Sequence, residues 1–200
     1  MKKQVVLIHG GETFDTYEKY LEFLKTANVL IGDLQRKKWK KTLAEKLGEN
    51  YDVVSLEMPN SLNAKYLEWK IWFEKYIPQF DNEIILVGHS LGGIFLAKYL
   101  SENKVEKIIL ATLLVSPPFD DADSDYSLAD FILGNDLSML KEQSGKLVIF
   151  FSKDDPVVPF EDLSKYQNAL PQAEVRIFED RGHFNQEEFP EIEEEIRSVS

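Results

Sequence analysis

The chain has 200 residues, 44% of them hydrophobic, and a formal net charge of −12. This size suits one domain with a substantial core, so we expect a single domain over residues 1–200. The negative charge repels phosphates and argues against nucleic-acid binding. Cysteine is absent, which excludes disulfides and is compatible with the cytoplasm, our expected location. No apolar stretch is long enough to cross a bilayer, so we expect no membrane partner.

Short apolar runs alternate with helical patterns along the chain. The runs are rich in Val, Ile, Leu and Phe, as buried parallel strands are. Strands are predicted at 4–9, 51–57, 83–87, 107–115, 146–151 and 173–178, and helices at 15–25, 33–47, 64–76, 92–101, 128–142, 160–169 and 189–199. This alternation predicts an α/β fold, with a mostly parallel sheet of about six strands and helices on both faces. In such sheets the functional site lies at the carboxyl ends of the strands.

Three helical patterns have an apolar side. The spacing of Trp39, Leu43 and Leu47 predicts an amphipathic helix. A basic cluster lies beside them and is expected to face solvent: Lys37, Lys38, Lys40 and Lys41. A second stripe predicts core packing: Trp69, Trp72, Phe73 and Tyr76. The third predicts a final helix packed on the sheet: Phe189, Ile192, Ile196 and Val199.

The third strand runs into Gly88-His89-Ser90-Leu91-Gly92-Gly93, after which helical spacing resumes. Glycines on either side of Ser90 remove side chains where backbones crowd, so the hydroxyl can be displayed at a sharp strand-to-helix turn. A bare G-x-S-x-G arises by chance about 0.07 times in a chain of this length. A structural serine in a glycine-rich turn is the alternative, but the flanking strand and helix favour a nucleophile.

Other strand ends carry the remaining groups of a nucleophilic site. His9-Gly10-Gly11-Glu12 follows the first strand, Asp154-Asp155-Pro156 follows the fifth, and Gly182-His183-Phe184 follows the sixth. Nucleophile, carboxylate and imidazole occur in the chain order of α/β-hydrolases. The sequence is therefore identified as resembling the α/β-hydrolase superfamily. With Met58-Pro59 after the second strand, it is similar to the small serine hydrolases of the retinoblastoma-binding-protein-9/YdeN type.

The chemistry assigns a role to each group. Ser90 needs a base to remove its proton during attack on an acyl carbon, and His183 supplies it. Asp154 and Asp155 can both orient the imidazole. The resemblance favours Asp155, because the acid of this family directly precedes the proline, and Pro156 also restricts the conformation of Asp155. His9 and His89 are weaker candidates for the base, since each lies in a glycine loop where an orienting role is expected.

An oxyanion in the tetrahedral intermediate needs backbone donors. The Leu91 amide is one, and the resemblance implies the Gly11 amide as the second. The expected function is hydrolysis of a carboxylic ester of a small acyl substrate through an acyl-enzyme, with no cofactor. A peptidase or thioesterase on the same triad, and a non-catalytic protein-binding module with this fold, are the alternatives. The residues do not indicate the oligomeric state.

Substrate contacts are the least defined part of the prediction. Glu12 and Tyr17 are candidates. The segment at about 13–34 is predicted to be helical, and either a cap beside the active-site loop or ordinary core packing is expected of it. Four acidic residues follow the fourth strand: Asp120, Asp121, Asp123 and Asp125. With Glu12 they form either a negative rim that favours neutral or cationic substrates or an ordinary solvated loop. Three of these have calcium-loop spacing, but Tyr126 and Ile132 stand where glycine and glutamate are needed, so no metal is expected.

Overall fold

The computed structural model describes residues 2–122, 126–134 and 136–199. Six parallel strands form one sheet in the order β2-β1-β3-β4-β5-β6. The strands are β1 Lys3–Ile8, β2 Tyr51–Leu56, β3 Glu83–His89, β4 Ile108–Val115, β5 Lys146–Ser152 and β6 Glu174–Phe178. All six predicted strands and the α/β architecture are confirmed. Each boundary agrees with the prediction to within two residues.

Helices connect these strands. They are α1 Tyr17–Thr26, α2 Ile31–Gln35, α3 Trp39–Leu47, α4 Tyr66–Tyr76, α5 Leu91–Glu102, α6 Ser138–Gln143, α7 Asp162–Ala169 and α8 Pro190–Ser198, with 3₁₀ turns at Ile77–Gln79 and Ala129–Phe131. No helix in the described ranges is long and apolar enough to cross a bilayer.

Alternate residues of each strand contribute to opposite sides of the sheet. Val6 and Ile8 belong to a core that includes side chains of α4, α5, α6 and α7. Val5 and Leu7 belong to the other core, beneath α3 and α8. The apolar residues predicted to bury α3 and α8 have exposed fractions of 7% or less. In the α4 stripe only Trp69 and Phe73 are buried, whereas Trp72 is 38% exposed.

The sheet order brings distant loops together. The chain passes from β1 to β2 on one side and then returns to β3 on the other, so β1 and β3 flank a switch point. Ile8 at the end of β1 lies opposite Gly88 in β3. The loops after β1 and β3 therefore leave the same edge side by side, where ligands of open α/β sheets bind.

The helix predicted at 33–47 is not continuous, because the helical structure is interrupted at 36–38. Helix α2 ends at Gln35, and the backbone is extended at Arg36 and Lys38 before α3 begins. Trp39 explains the break: its backbone N–H donates to the Gln186 carbonyl at 3.0 Å, and its indole donates to the Phe184 carbonyl at 2.9 Å. These tertiary bonds fix the start of α3 independently of α2.

The predicted helix at 128–142 is also wrong. In 128–134 and 136–142 the structure has only the short turn at Ala129–Phe131 and all but the last residue of α6. The Lys98 ammonium donates to the carbonyls of Asp130 and Ile132, at 2.8 and 3.0 Å. These carbonyls would otherwise accept bonds inside a continuous helix, and Gly134 lies two residues after Ile132, so the segment bends.

The segment at 13–34 contains α1 and all but the last residue of α2, in agreement with its predicted helical character. Helix α1 has no buried residue. Its aromatic rings contact Phe14 rather than the main cores, with Phe14 lying 5.6 Å from Tyr20 and 5.2 Å from Phe23 between ring centroids. The cap-like role stays a prediction.

Candidate active site

Ser90 occupies a strained turn between β3 and α5. Its backbone has φ 56° and ψ −122°, a conformation that L-residues rarely adopt and that a nucleophile elbow requires. A Cβ at Gly92 would lie 2.4 Å from the Ile8 carbonyl oxygen and 2.5 Å from that of His9. Only glycine allows α5 to start so close to the end of β1.

The loop after β1 lies against this elbow. A Cβ at Gly11 would lie 2.6 Å from the Ser61 carbonyl oxygen, and the next amide, of Glu12, donates to that same oxygen at 2.8 Å. Within the described residues, the amides of Gly11 and Leu91 donate no hydrogen bond to another backbone group. Both N–H groups are therefore available to a ligand beside Ser90.

His183 is held by a carboxylate from the neighbouring loop. Its Nδ1 lies 2.9 and 3.1 Å from the two carboxylate oxygens of Asp155. The side chain of Asp155 has no exposed surface and that of His183 is 11% exposed. Because Nδ1 is taken, Nε2 is the nitrogen left for proton exchange. No hydrogen bond joins His183 to Ser90 in the described part of the chain, a contact that tightens in many hydrolases only when substrate binds.

Asp155 is stabilised as an anion. The amides of Val157 and Val158 donate to its Oδ1 at 2.8 and 3.1 Å, and the Ser116 hydroxyl donates to its Oδ2. Burial alone would raise the pKa of this carboxyl, but its bonds to His183, Ser116 and the amides hold the pKa below the usual value. The group can thus stay charged next to an imidazole.

Ser116 was not predicted from the sequence. It follows β4 directly, has φ 46° and donates its backbone N–H to Phe150 at 2.9 Å. No motif surrounds it; the only available signal was a hydroxyl residue at the carboxyl end of a strand that lies between β3 and β5.

The adjacent carboxylate, Asp154, makes different bonds. Its Oδ1 accepts from the Ser152 hydroxyl at 2.6 Å and from the Gly182 amide at 2.8 Å. Ser152 in turn accepts from the Arg181 amide at 2.9 Å. Asp154 therefore ties the loop after β5 to the loop after β6 and makes no hydrogen bond to the His183 ring.

The other two histidines have both ring nitrogens engaged. His9 accepts from the Met58 amide at 3.0 Å and contacts the Gly10 carbonyl through Nδ1 at 2.5 Å. His89 donates from Nε2 to the His183 carbonyl at 2.9 Å, so its Nδ1 accepts from Lys40 at 2.7 Å. Burial, followed by the charge of Lys40, keeps the pKa of His89 well below its usual value. Both residues orient loops, as expected.

The prediction that all lysines of the basic cluster face solvent is wrong for Lys40. Lys40 does not extend into solvent but contacts His89, and both Lys38 and Lys40 line the cavity that contains Ser90 and His183. The extended backbone before α3 turns these side chains toward the site. Burial, followed by the charge of Lys38, lowers the pKa of Lys40 to about 7.

A cavity of about 460 Å³ connects these groups. Its lining includes Ser90, His183, Gly11, Leu91 and Glu12. Partial removal from water raises the pKa of the Glu12 carboxyl, and the nearby His183 opposes this rise. Tyr17 does not line this cavity but a separate one of about 600 Å³.

Two described residues of the predicted acidic rim, Asp120 and Asp121, do not line this cavity. Asp120 pairs with Lys165 at 2.8 Å, and Asp121 accepts from the Leu128 amide at 3.1 Å. Asp123 and Asp125 lie outside the described residues. Among the described acidic residues of this group, Glu12 lines the cavity.

A parallel sheet with a strained serine after β3, a carboxylate after β5 and a histidine after β6 defines an α/β-hydrolase fold. The model of the serine hydrolase family matches residues 32–198, and the chain belongs to this family. It is therefore a hydrolase.

Individual relatives agree with this assignment. The chain is 26% identical to serine hydrolase RBBP9 of Rattus norvegicus over 149 residues, which are 74% of this chain and 78% of the relative. It is 27% identical to the putative hydrolase YdeN of Bacillus subtilis, over 94% of this chain and 89% of the relative. The crystal structure of the ydeN gene product from B. subtilis superposes with a TM-score of 0.73 at 21% identity, covering 99% of this chain and 98% of that one.

Proposed function

We propose that the protein is a serine esterase that cleaves a carboxylic ester of a small acyl substrate. Ser90 is the nucleophile, His183 the general base and Asp155 the acid that orients it. The hydrogen bonds between His183 and the buried Asp155 carry this proposal, because they fix the imidazole with Nε2 free in the cavity that contains Ser90.

The reaction proceeds in two halves. Nε2 of His183 takes the Ser90 proton as Oγ bonds to the acyl carbon, and the amides of Gly11 and Leu91 bind the oxyanion. The imidazolium then gives its proton to the departing alkoxide, which leaves an acyl-enzyme. Water attacks the acyl carbon, its proton passes through His183 to Ser90, and the carboxylic acid leaves. No cofactor enters this scheme. The cytoplasm remains the proposed location.

Labelling with a fluorophosphonate tests the nucleophile. The parent protein should be labelled at Ser90, whereas Ser90→Ala and His183→Ala should not be labelled. On a 4-nitrophenyl ester, Ser90→Ala should lower kcat on the order of 10⁶-fold. Replacing an exposed helical serine, in Ser164→Ala, serves as the matched control and should leave labelling and turnover unchanged.

The opposite result is equally defined. A parent protein that is folded but neither labels nor turns over any ester is a binding module with this fold. A loss of only about twofold in Ser90→Ala would place the chemistry elsewhere. Matched oxygen ester, thioester and anilide substrates rank the three acyl bonds, and a kcat/KM highest for the thioester or anilide would overturn the ester assignment.

A further inference from the structure

Two ammonium groups lie on the wall of the cavity described above. Lys38 donates to the Asn185 side-chain oxygen at 3.0 Å, and Lys40 donates to His89 Nδ1 at 2.7 Å. Asn185 is two residues from His183, and His89 directly precedes Ser90. Each ammonium group is thus hydrogen-bonded to a residue close in sequence to the proposed nucleophile or base.

Neither ammonium group is paired with a carboxylate in the part of the chain that the structure describes. Among the described residues no carboxylate lies within 4.0 Å of either lysine, although eleven other basic groups form such pairs in a chain with 35 acidic residues. The first turn of α3 contains no acidic residue either. The positive end of the helix dipole therefore adds to the two charges instead of being offset.

This arrangement of two neighbouring ammonium groups is unfavourable for the protein alone. A partly buried cation without a counter-charge is disfavoured, because water is removed and nothing replaces it. The lowered pKa of Lys40 reflects the same cost. An anionic group of a ligand would remove the cost, restore the charge of Lys40 and accept its hydrogen bonds.

The other ionisable groups of the cavity do not cancel this field. His89 is buried and neutral. Glu12 lines the same cavity but lies beyond ion-pair distance of both lysines, on the loop after β1.

We propose that Lys38 and Lys40 form an anion subsite of the active-site cavity, and that the natural ester carries a carboxylate that binds there. The inference rests on the proposed esterase function and narrows its substrate class. It reverses the preference for neutral or cationic substrates that an acidic rim predicts.

Matched ester pairs test the subsite. The first pair is the 4-nitrophenyl esters of adipic acid and of its monoamide, which place the charge on the acyl side. The second is the butyrate esters of 4-hydroxybenzoate and 4-hydroxybenzamide, which place it on the leaving group. In at least one pair, kcat/KM should be about 10- to 100-fold higher for the carboxylate member, as for a hydrogen bond to a charged group.

Variants locate the origin of that ratio. Lys40→Gln and Lys38→Gln should each reduce the preference for the carboxylate, while Glu12→Gln should increase it. Lys41→Gln removes an exposed charge from the same helix and should leave the ratio unchanged. A fall of both pair members by the same factor in Lys40→Gln would mean that the lysine only positions His183 through His89, and the subsite would be refuted.

The two proposals fail separately. If the parent enzyme hydrolyses these esters without preferring the carboxylate in either pair, the anion subsite is wrong and the esterase function stands. If the folded protein neither hydrolyses them nor reacts with fluorophosphonate, the esterase function itself is wrong.

Discussion

The loops that carry Ser90, Asp155 and His183 are held very differently from the segment at 13–34. The first group is cross-linked by short hydrogen bonds: Asp155 accepts from two amides, a hydroxyl and an imidazole, and Asp154 joins the loops after β5 and β6. In the second, α1 has no buried residue, and Val29 and Ile31 are 79% and 76% exposed.

The two regions differ in how many contacts hold them in place. Reacting groups must keep a fixed geometry, and bonds between separate strands provide it. A segment whose contacts are few and mostly its own can open at low cost in free energy. The proposed catalytic loops and the proposed cap thus fall at opposite ends of one range of local stability.

After the loss of the nucleophile itself, the largest effect is expected to separate two neighbouring carboxylates. Asp155→Asn should lower kcat by about 10⁴-fold, because an amide cannot stabilise the imidazolium and favours the wrong tautomer. Asp154→Asn, the matched control, should cost far less activity and act mainly on stability. Equal kcat losses, or a larger loss in Asp154→Asn, would contradict the assignment of Asp155.

The second comparison uses one substitution in each region. Gly92→Ala places a Cβ 2.4 Å from a backbone oxygen and should lower the free energy of unfolding by about 1–3 kcal/mol or more. Gly32→Ala in α2 meets nothing within 4 Å and should raise it by about 0.4–1 kcal/mol. Urea unfolding measures both values. A Gly92→Ala protein as stable as its parent would mean that the elbow is not crowded.

The sequence predicted the parts of the site that local chemistry marks. Ser90 lies between glycines, and His183 follows a strand that sheet topology brings to the same edge. Asp155 also depended on the resemblance, since the residues alone left Asp154 open. Ser116 and Lys40 could not be found in this way: one depends on the register of β4 between its neighbours, and the other on the extended backbone at 36–38, which changes the direction of a lysine that periodicity places in solvent.

The burial of Lys40 beside the loops of the proposed catalytic residues should make the stability of the protein depend on pH. Its pKa is lowered from 10.5 to about 7 in the folded protein. Below pH 7 both folded and unfolded states bind the proton and the cost of burial is fully present. Between pH 7 and 10.5 the unfolded state binds more protons, so stability rises with pH, with a slope of at most about 1.4 kcal/mol per unit.

Unfolding of Lys40→Met across this range checks the sign. The free energy of unfolding of the variant, relative to that of the parent, should be highest at pH 7 and below. This difference should fall as the pH approaches 10.5, because the parent becomes more stable. Lys41→Met, an exposed control, should show no such trend. A pH-independent difference for Lys40→Met would mean that the cavity leaves this ammonium fully hydrated.

The smallest effect on stability is expected in α1. Tyr17 is 62% exposed and contacts Tyr20 at 5.9 Å between ring centroids, so Tyr17→Ala should change the free energy of unfolding by less than about 0.5 kcal/mol.

If the segment is a cap, the same variant should still change the ratio of kcat/KM between short-chain and long-chain 4-nitrophenyl esters, because a lid contacts substrate only when it closes. Ile108→Ala removes an equally exposed side chain, 60% accessible, from the start of β4 and serves as the control. A chain-length profile that is unchanged in Tyr17→Ala, together with unfolding on deletion of residues 13–31, would assign the segment a structural role instead of a cap.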